Sequence, residues 1–341
     1  MPKERDFYYD NLKGLLIFLV VLCHFLGGIV SKSDVFTRTL IVFIYYFHMP
    51  LFIFISGYFS KNPDKARSSA FRTLLLVFVI AQVFWIIFKF IANGSVYYLQ
   101  HFLDPGYAIW YVVALFFWRL LLKDLIKIPH ILIISFLISP LIMILSQAEM
   151  TLAINKTVGF LFFFLLGYYT NGEIMNKIRA IPVLPAAAGL IAIFIGTFLL
   201  IKFDILSYGG MKALLLHTKT LGSFDSIWFG ILAYYGALVM SVITGVLVMA
   251  VMPQKKNILA YIGGDTMPLY LSHTYFLIIA DLVFAAVALS YGVQYIIVLG
   301  ATLLLTVIFS TPIYRKIFHA VYDFCINVIY PPELTKEKSN E

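Results

Sequence analysis

Leu12 to Val30 reads LKGLLIFLVVLCHFLGGIV, nineteen residues that are long and apolar enough to cross a bilayer, yet the run holds a lysine and a histidine. An ionisable side chain in such a run costs a few kcal/mol or more unless it has partners or a task. Lys13 and His24 are eleven residues apart. At 100° per residue that is about 1100°, three turns plus roughly 20°, so the two share one helix face about 16 Å apart along the axis. A cation stands at one end of this face and a titratable base stands deeper in.

The rest of the chain sets the context for that helix. Of its 341 residues 62% are apolar and only 12% are charged, and mean hydropathy is +0.93. Such a composition cannot clothe a water-soluble surface. The expected class is an all-α polytopic membrane protein. Apolar runs of roughly 17 to 25 residues between charged or Gly/Pro breaks predict ten spans in one bundle, near 12–30, 39–60, 70–92, 107–123, 128–147, 154–170, 182–202, 226–251, 258–289 and 294–318. Residues 1–330 then form one transmembrane domain, and 331–341 a short polar tail. The first run is too long for a cleaved leader.

Lysine and arginine give the orientation, because basic loops stay on the cytoplasmic side. With ten spans, the N-terminal segment, the even-numbered loops and the C-terminal segment share a face. They carry Lys3, Arg5, Lys13, Lys61, Lys65, Arg67, Arg72, Arg119, Lys123, Lys127, Lys177, Arg179, Lys255, Lys256, Arg315, Lys316, Lys336 and Lys338, which is 18 of the 25 basic residues. Both termini are therefore expected in the cytoplasm, in a multi-pass protein of the cell membrane. The net charge of +8 reads as this bias and as attraction to anionic membrane lipid, with no nucleic acid implied.

Two cysteines, Cys23 and Cys325, lie far apart and suggest neither a disulfide framework nor a metal site. No phosphate-binding glycine loop and no soluble stretch able to fold alone is present. Chemistry has to occur inside the bundle or at its mouths. Three of the seven histidines, His24, His48 and His273, lie well inside predicted spans. His48 stands just before Pro50, which removes a backbone donor and loosens a helix. Beyond it, Ser56-Gly57-Tyr58 leads into the most basic loop, Lys61 to Arg72, which suits a phosphate-rich molecule. His273 follows Gly263-Gly264 and Pro268 in the ninth span. Each histidine has a plain alternative as a packing residue bonded to a carbonyl, and the loop cations have one as topology determinants. Outer-side His101, Asp104, Asp204, His217 and Asp225 are candidates for a second substrate, and Asp281 is open between a proton-linked role and proximity to the outer surface.

Tyr9-Asp10-Asn11-Leu12-Lys13-Gly14, followed by an apolar run to His24, resembles the opening of the acyltransferase family 3 membrane proteins, especially the fucose 4-O-acetylase-like branch. The family's first helix carries a basic residue, ten intervening residues and a histidine. Phe47 to Tyr58 is similar to its pattern of Pro, aromatics and Ser-Gly-aromatic. Trp110 to Phe116 is similar to its Trp-Phe-Leu-x-x-Leu segment, Phe162 to Tyr169 to one ending in Leu-Gly-Tyr-Tyr, and Gly263 to His273 to a late Tyr-x-x-His. The resemblance runs in order over nearly the whole chain.

It implies an O-acetyltransferase that takes acetyl from cytoplasmic acetyl-CoA, with no permanently bound cofactor, and gives it to a hydroxyl of a cell-surface glycan or its lipid-linked precursor. His24 would be the base or acyl carrier, and Lys13 would pair with a donor phosphate or hold the thioester oxygen. Arg72, Arg67 and Ser56 would bind the donor, and His48, His273 and Asp10 are the remaining polar groups of the bundle. The family often has arginine at the position of Lys13 and a pair of arginines three apart where this chain has Ser69 and Arg72. Glycan-assembly proteins are possible partners. Two readings compete: a transporter or flippase of glycan intermediates, and a non-catalytic assembly partner of a glycan synthase.

Overall fold

The computed structural model describes residues 5–29, 34–143, 151–218, 224, 226–286 and 290–331, with the side chains of 28, 29, 98, 143, 281–286 and 291 left out. The polar tail beyond 331 and Asp225 lie outside the described residues, and so does the side chain of Asp281. Every regular element among the described residues is helical. The first half comprises α1 (Phe7–Ile29), α2 (Val35–Tyr58), α3 (Pro63–Ala70), α4 (Leu76–Asn93), α5 (Tyr97–Gln100), α6 (Trp110–Leu125), α7 (Ile131–Ile138), α8 (Ile154–Gly159) and α9 (Leu161–Tyr169). The second comprises α10 (Gly172–Arg179), α11 (Val183–Lys202), α12 (Tyr208–Leu215), α13 (Ile227–Val251), α14 (Ile258–Gly263), α15 (Met267–Ala286), α16 (Tyr291–Ser310) and α17 (Pro312–Ile329).

Six stretches among the described residues are long and apolar enough to cross a membrane, and a seventh counts if a pair bent by 51° is one span. Ten were expected. The difference lies in local breaks that a hydropathy window averages over. The fourth expected span is a helix of 16 residues, and the fifth turns from α-helix to a 3-10 helix at Ser139. The sixth bends between Gly159 and Leu161, and the ninth divides into α14 and α15. The tenth is one of the six but ends at Ser310, because Pro312 cannot continue a helix and Thr311 caps the next one by accepting from the Tyr314 amide.

Burial separates a centre from a rim. In α2, 83% of the spanning window is buried, against 17% in α11. Large apolar side chains on outer helices, such as Leu184, Trp228 and Ile313, lie open. In lipid such exposure costs nothing, so apolarity does not choose which face turns inward, and close backbone packing does. Two glycine contacts make that choice. A Cβ on Gly14 would lie 2.0 Å from the Leu259 carbonyl oxygen, and one on Gly263 would lie 1.8 Å from that of Asp10. Only hydrogen fits at either position, so α1 and α14 touch backbone to backbone. Gly57 and Gly167 do the same for α2 and α9.

Polar ties lock the arrangement. Asn257 caps α14 by accepting from the Leu259 amide at 2.8 Å. The amide of buried Asn11 donates to the carbonyls of Pro253 and Lys255, both at 2.8 Å, fastening the segment before α14 to α1. Tyr8 donates to the Met249 carbonyl at the end of α13. Pro50 sits inside α2, which runs unbroken from Val35 to Tyr58.

Candidate functional site

Because α14 is pressed onto the first turns of α1, α15 rises beside the rest of α1. His273, fully buried, thereby meets His24. His24 Nδ1 and His273 Nε2 lie 2.7 Å apart, with the rings 15° from parallel. His273 Nδ1 lies 3.1 Å from the Leu269 carbonyl, one turn back on its own helix.

These contacts fix the protons. A carbonyl only accepts, so His273 Nδ1 carries hydrogen; in the neutral ring Nε2 is then an acceptor. His24 Nδ1 must donate to it, which leaves the lone pair on His24 Nε2 available to take a proton. The ring of Tyr107 stands edge-on to His24 with centroids 4.9 Å apart. Tyr107 has φ of 28° in the turn before α6, a region few non-glycine residues occupy.

The third histidine is placed differently. His48 Nδ1 lies 2.9 Å from the Ile44 carbonyl, and the ring stacks on Tyr45 with centroids 5.0 Å apart. The carbonyl contact is the packing arrangement its plain reading anticipates.

At the start of α1 a second feature opens. Buried Asp10 bridges two cations, Arg5 Nε at 2.6 Å and Lys13 Nζ at 2.9 Å. They line a cavity of about 500 Å³ together with Tyr9, Tyr58 and Arg179. Tyr9 and Tyr58 stack at 5.2 Å, and the Arg179 guanidinium lies 3.9 Å from the Tyr8 ring centroid while pairing with Asp6 at 2.7 Å. The hydrogen bond and charge of Asp10 hold the Arg5 guanidinium above the ordinary arginine range. Burial is the largest single influence on Arg179 and works against its charge, but the hydrogen bond to Asp6 and the electrostatic pull of Tyr9, Asp6 and Tyr8 together outweigh it, so its pKa is raised too. The mouth is therefore an aromatic floor ringed by three basic side chains and two carboxylates, suited to a planar ring bearing phosphates.

The remaining candidates lie apart from this mouth. Ser56 shares a hydrogen bond of 2.6 Å with the Tyr111 hydroxyl. Arg67 donates to the Leu120 carbonyl at 2.7 Å and pairs with Asp124, joining α3 to α6. Arg72 donates to Asn327 at 2.7 Å on α17. Lys61 caps the end of α9, donating to the carbonyls of Gly167, Tyr168 and Thr170. Burial lowers its pKa. Among the polar residues expected on the outer side, Asp104 accepts from Tyr97 at 3.0 Å, and His217 lies 2.6 Å from the Tyr234 hydroxyl.

Sequence reasoning passed over Arg5, Arg179, Tyr58 and Tyr107 as site residues. The two arginines counted as topology determinants, and Asp6, the partner of Arg179, lies 173 residues away. Tyr107 precedes a helix in a segment with no periodic signal.

Comparison with known proteins adds an independent line. A family described as acyltransferase domain matches residues 6–315. Nodulation protein NolL of Sinorhizobium fredii (strain NBRC 101917 / NGR234) is 36% identical over 87 residues, 24% of each chain. Nodulation protein NolL of Mesorhizobium japonicum (strain LMG 29417 / CECT 9101 / MAFF 303099) is 26% identical over 179 residues, 48% of each chain. The chain thus spans about half the length, or less, of these relatives. No solved structure matches it.

Proposed function

The chain belongs to the acyltransferase domain family, and on that premise we propose that it is a membrane O-acetyltransferase, moving acetyl from cytoplasmic acetyl-CoA to a hydroxyl of a cell-surface carbohydrate or its lipid-linked precursor. The observation that carries this reading is the contact of 2.7 Å between His24 and His273, which leaves one unprotonated nitrogen on a histidine within the bundle.

His24 Nε2 removes the proton of the acceptor hydroxyl as its oxygen attacks the thioester carbonyl. The carbon–oxygen bond forms, the tetrahedral intermediate collapses, the carbon–sulfur bond breaks, and His24 returns the proton to the departing thiolate. The products are an acetyl ester and coenzyme A. His273 accepts from His24 Nδ1 throughout, keeping the ring oriented and supporting its transient positive charge, the part a carboxylate plays in hydrolase triads.

The mouth at Lys13 is the donor's entrance. Lys13 and Arg179 meet phosphates, and Tyr9 and Tyr58 offer a stacking surface to the purine. His24 lies eleven residues further along α1, about 16 Å of axis, so the donor has to present its reacting end on a long thin arm, as coenzyme A does. Within the family, we place the chain in the fucose 4-O-acetylase-like branch, which its opening from Tyr9 to Gly14 resembles.

We place both termini and the even-numbered loops in the cytoplasm of a ten-span protein of the cell membrane. Contacts that gather those segments at one end support the placement. Asp6 meets Arg179, Asn11 meets the Pro253 and Lys255 carbonyls, Tyr9 stacks on Tyr58, and Asp64 pairs with Lys123 at 2.5 Å. The decisive experiment supplies labelled acetyl-CoA to the purified protein in lipid nanodiscs with extracted surface glycan precursors. Base-labile label in the glycan supports the reading, and absence of acetyl-CoA binding makes transport the better one.

A further inference from the structure

The wall formed by α4, α15 and α17 is cut by an apolar furrow separate from the histidine pair and from the mouth at Lys13. One part, about 420 Å³, is lined by Ile87, Phe88, Tyr275, Phe276, Ile317 and Val321. A second, about 220 Å³, lies between Ile80 and Val83 on α4 and Phe324 and Val328 on α17. Phe84 lines both. Along α4 they run from Val79 to Ile91, about 18 Å of helix axis. The hydroxyls of Ser272 and Tyr314, which face the first part, are hydrogen bonded to each other at 2.6 Å.

One end of this furrow lies near the histidine pair, separated from it by packed aromatic rings. Tyr275 packs on Phe88 at 5.0 Å and on Trp85 at 5.9 Å, Trp85 lies against Tyr107 at 6.4 Å, and Tyr107 meets His24 at 4.9 Å. On α15, residues 271, 272, 275 and 276 face the furrow while His273 faces His24. The furrow thus lies three ring contacts from His24.

We propose that the furrow holds the hydrocarbon chain of the acceptor, so that the carbohydrate arrives lipid-linked, from within the bilayer. This rests on the acyl-transfer reading above. The length and the predominantly apolar lining fit one extended chain. In lipid, apolar surface gains nothing merely from leaving its surroundings, so a furrow distinguishes its occupant by shape and by tethering. A chain laid along α4 with its sugar at His24 makes the encounter intramolecular, which raises the local concentration of hydroxyl. A free sugar gains no such advantage.

The test supplies labelled acetyl-CoA to membrane vesicles from cells that make both the protein and its glycan, and counts base-labile label in solvent-extractable lipid and in water-soluble polymer. Ile87→Trp and Val321→Trp fill the furrow from positions 49% and 42% exposed, so they leave the core alone. Label is expected first in the extractable fraction, with both variants lowering its rate about tenfold or more while acetyl-CoA binds as before. Label only in water-soluble polymer, or variants as fast as the parent, overturns the furrow's role and leaves acyl transfer standing. No label in either fraction removes the acyl-transfer reading and this one with it.

Discussion

His24 and His273 stand 249 residues apart in the chain and 2.7 Å apart in the fold. In the proposed reaction one ring is the base and the other its support, and the consequences differ for the two residues.

Replacing the base removes the proton transfer and little else. His24→Ala is expected to lower acetyl transfer about 10²- to 10⁴-fold, the usual scale of general base catalysis. Acetyl-CoA affinity, measured by calorimetry in nanodiscs, should stay as it is. Normal turnover in this variant would refute the assignment.

Replacing the support misorients the base. His273→Ala should cost about 10- to 100-fold in kcat, as loss of a group that orients a functional ligand does. His273→Gln keeps an oxygen able to accept from His24 Nδ1 and should recover part of that loss. Equal rates for the two variants would point to a purely structural role.

The mouth predicts a different kinetic signature. Arg179→Ala removes a charge-assisted contact worth about 1.5–3 kcal/mol and should raise the KM for acetyl-CoA about 10- to 100-fold. Arg67→Ala breaks the link from α3 to Asp124 and is expected to reduce thermal stability with little change in KM. The opposite pattern would return the donor site to the basic loop.

The pH dependence of that KM follows from the charges. Both Arg5 and Arg179 have folded pKa values raised above the ordinary arginine range. A raised basic group keeps its proton as pH rises, so the cations persist and the KM for acetyl-CoA should be flat from about pH 6 to 9. Initial-rate measurements at several pH values check this. A KM that climbs towards alkaline pH would mean that a weaker base anchors the donor.

Packing sets the last expectation. Gly263→Ala places a methyl against the Asp10 carbonyl oxygen, 1.8 Å from where its carbon would lie, and backbone cannot step aside as a flexible side chain does. Overpacking of this kind costs about 1–3 kcal/mol or more. It should part α14 from α1 and draw His273 away from His24. Lower melting temperature together with lower kcat in the folded fraction is the expected result, and parent-like values of both would refute it.

Several of these features were legible along the chain. The apolar run from Leu12 to Val30 gave a membrane helix with Lys13 and His24 on one face, since hydropathy and helical period are properties of a single segment. The same reading marked the family resemblance now supported by the match over residues 6–315. It also singled out His273, without a partner.

What the tertiary structure decided is which faces meet. It joined His273 to His24, brought Arg179 to the mouth beside Lys13, and held Arg67 and Arg72 on Asp124 and Asn327. It also broke expected spans at Phe160 and Thr311, where one residue's geometry outweighs the average of its window. The reason lies in the solvent. Lipid accepts any apolar face, so hydrophobicity marks a helix as membrane-bound without saying which side turns inward. Contacts such as Gly14 against Leu259 and Gly263 against Asp10 say it, and they pair residues about 250 positions apart that no local pattern connects.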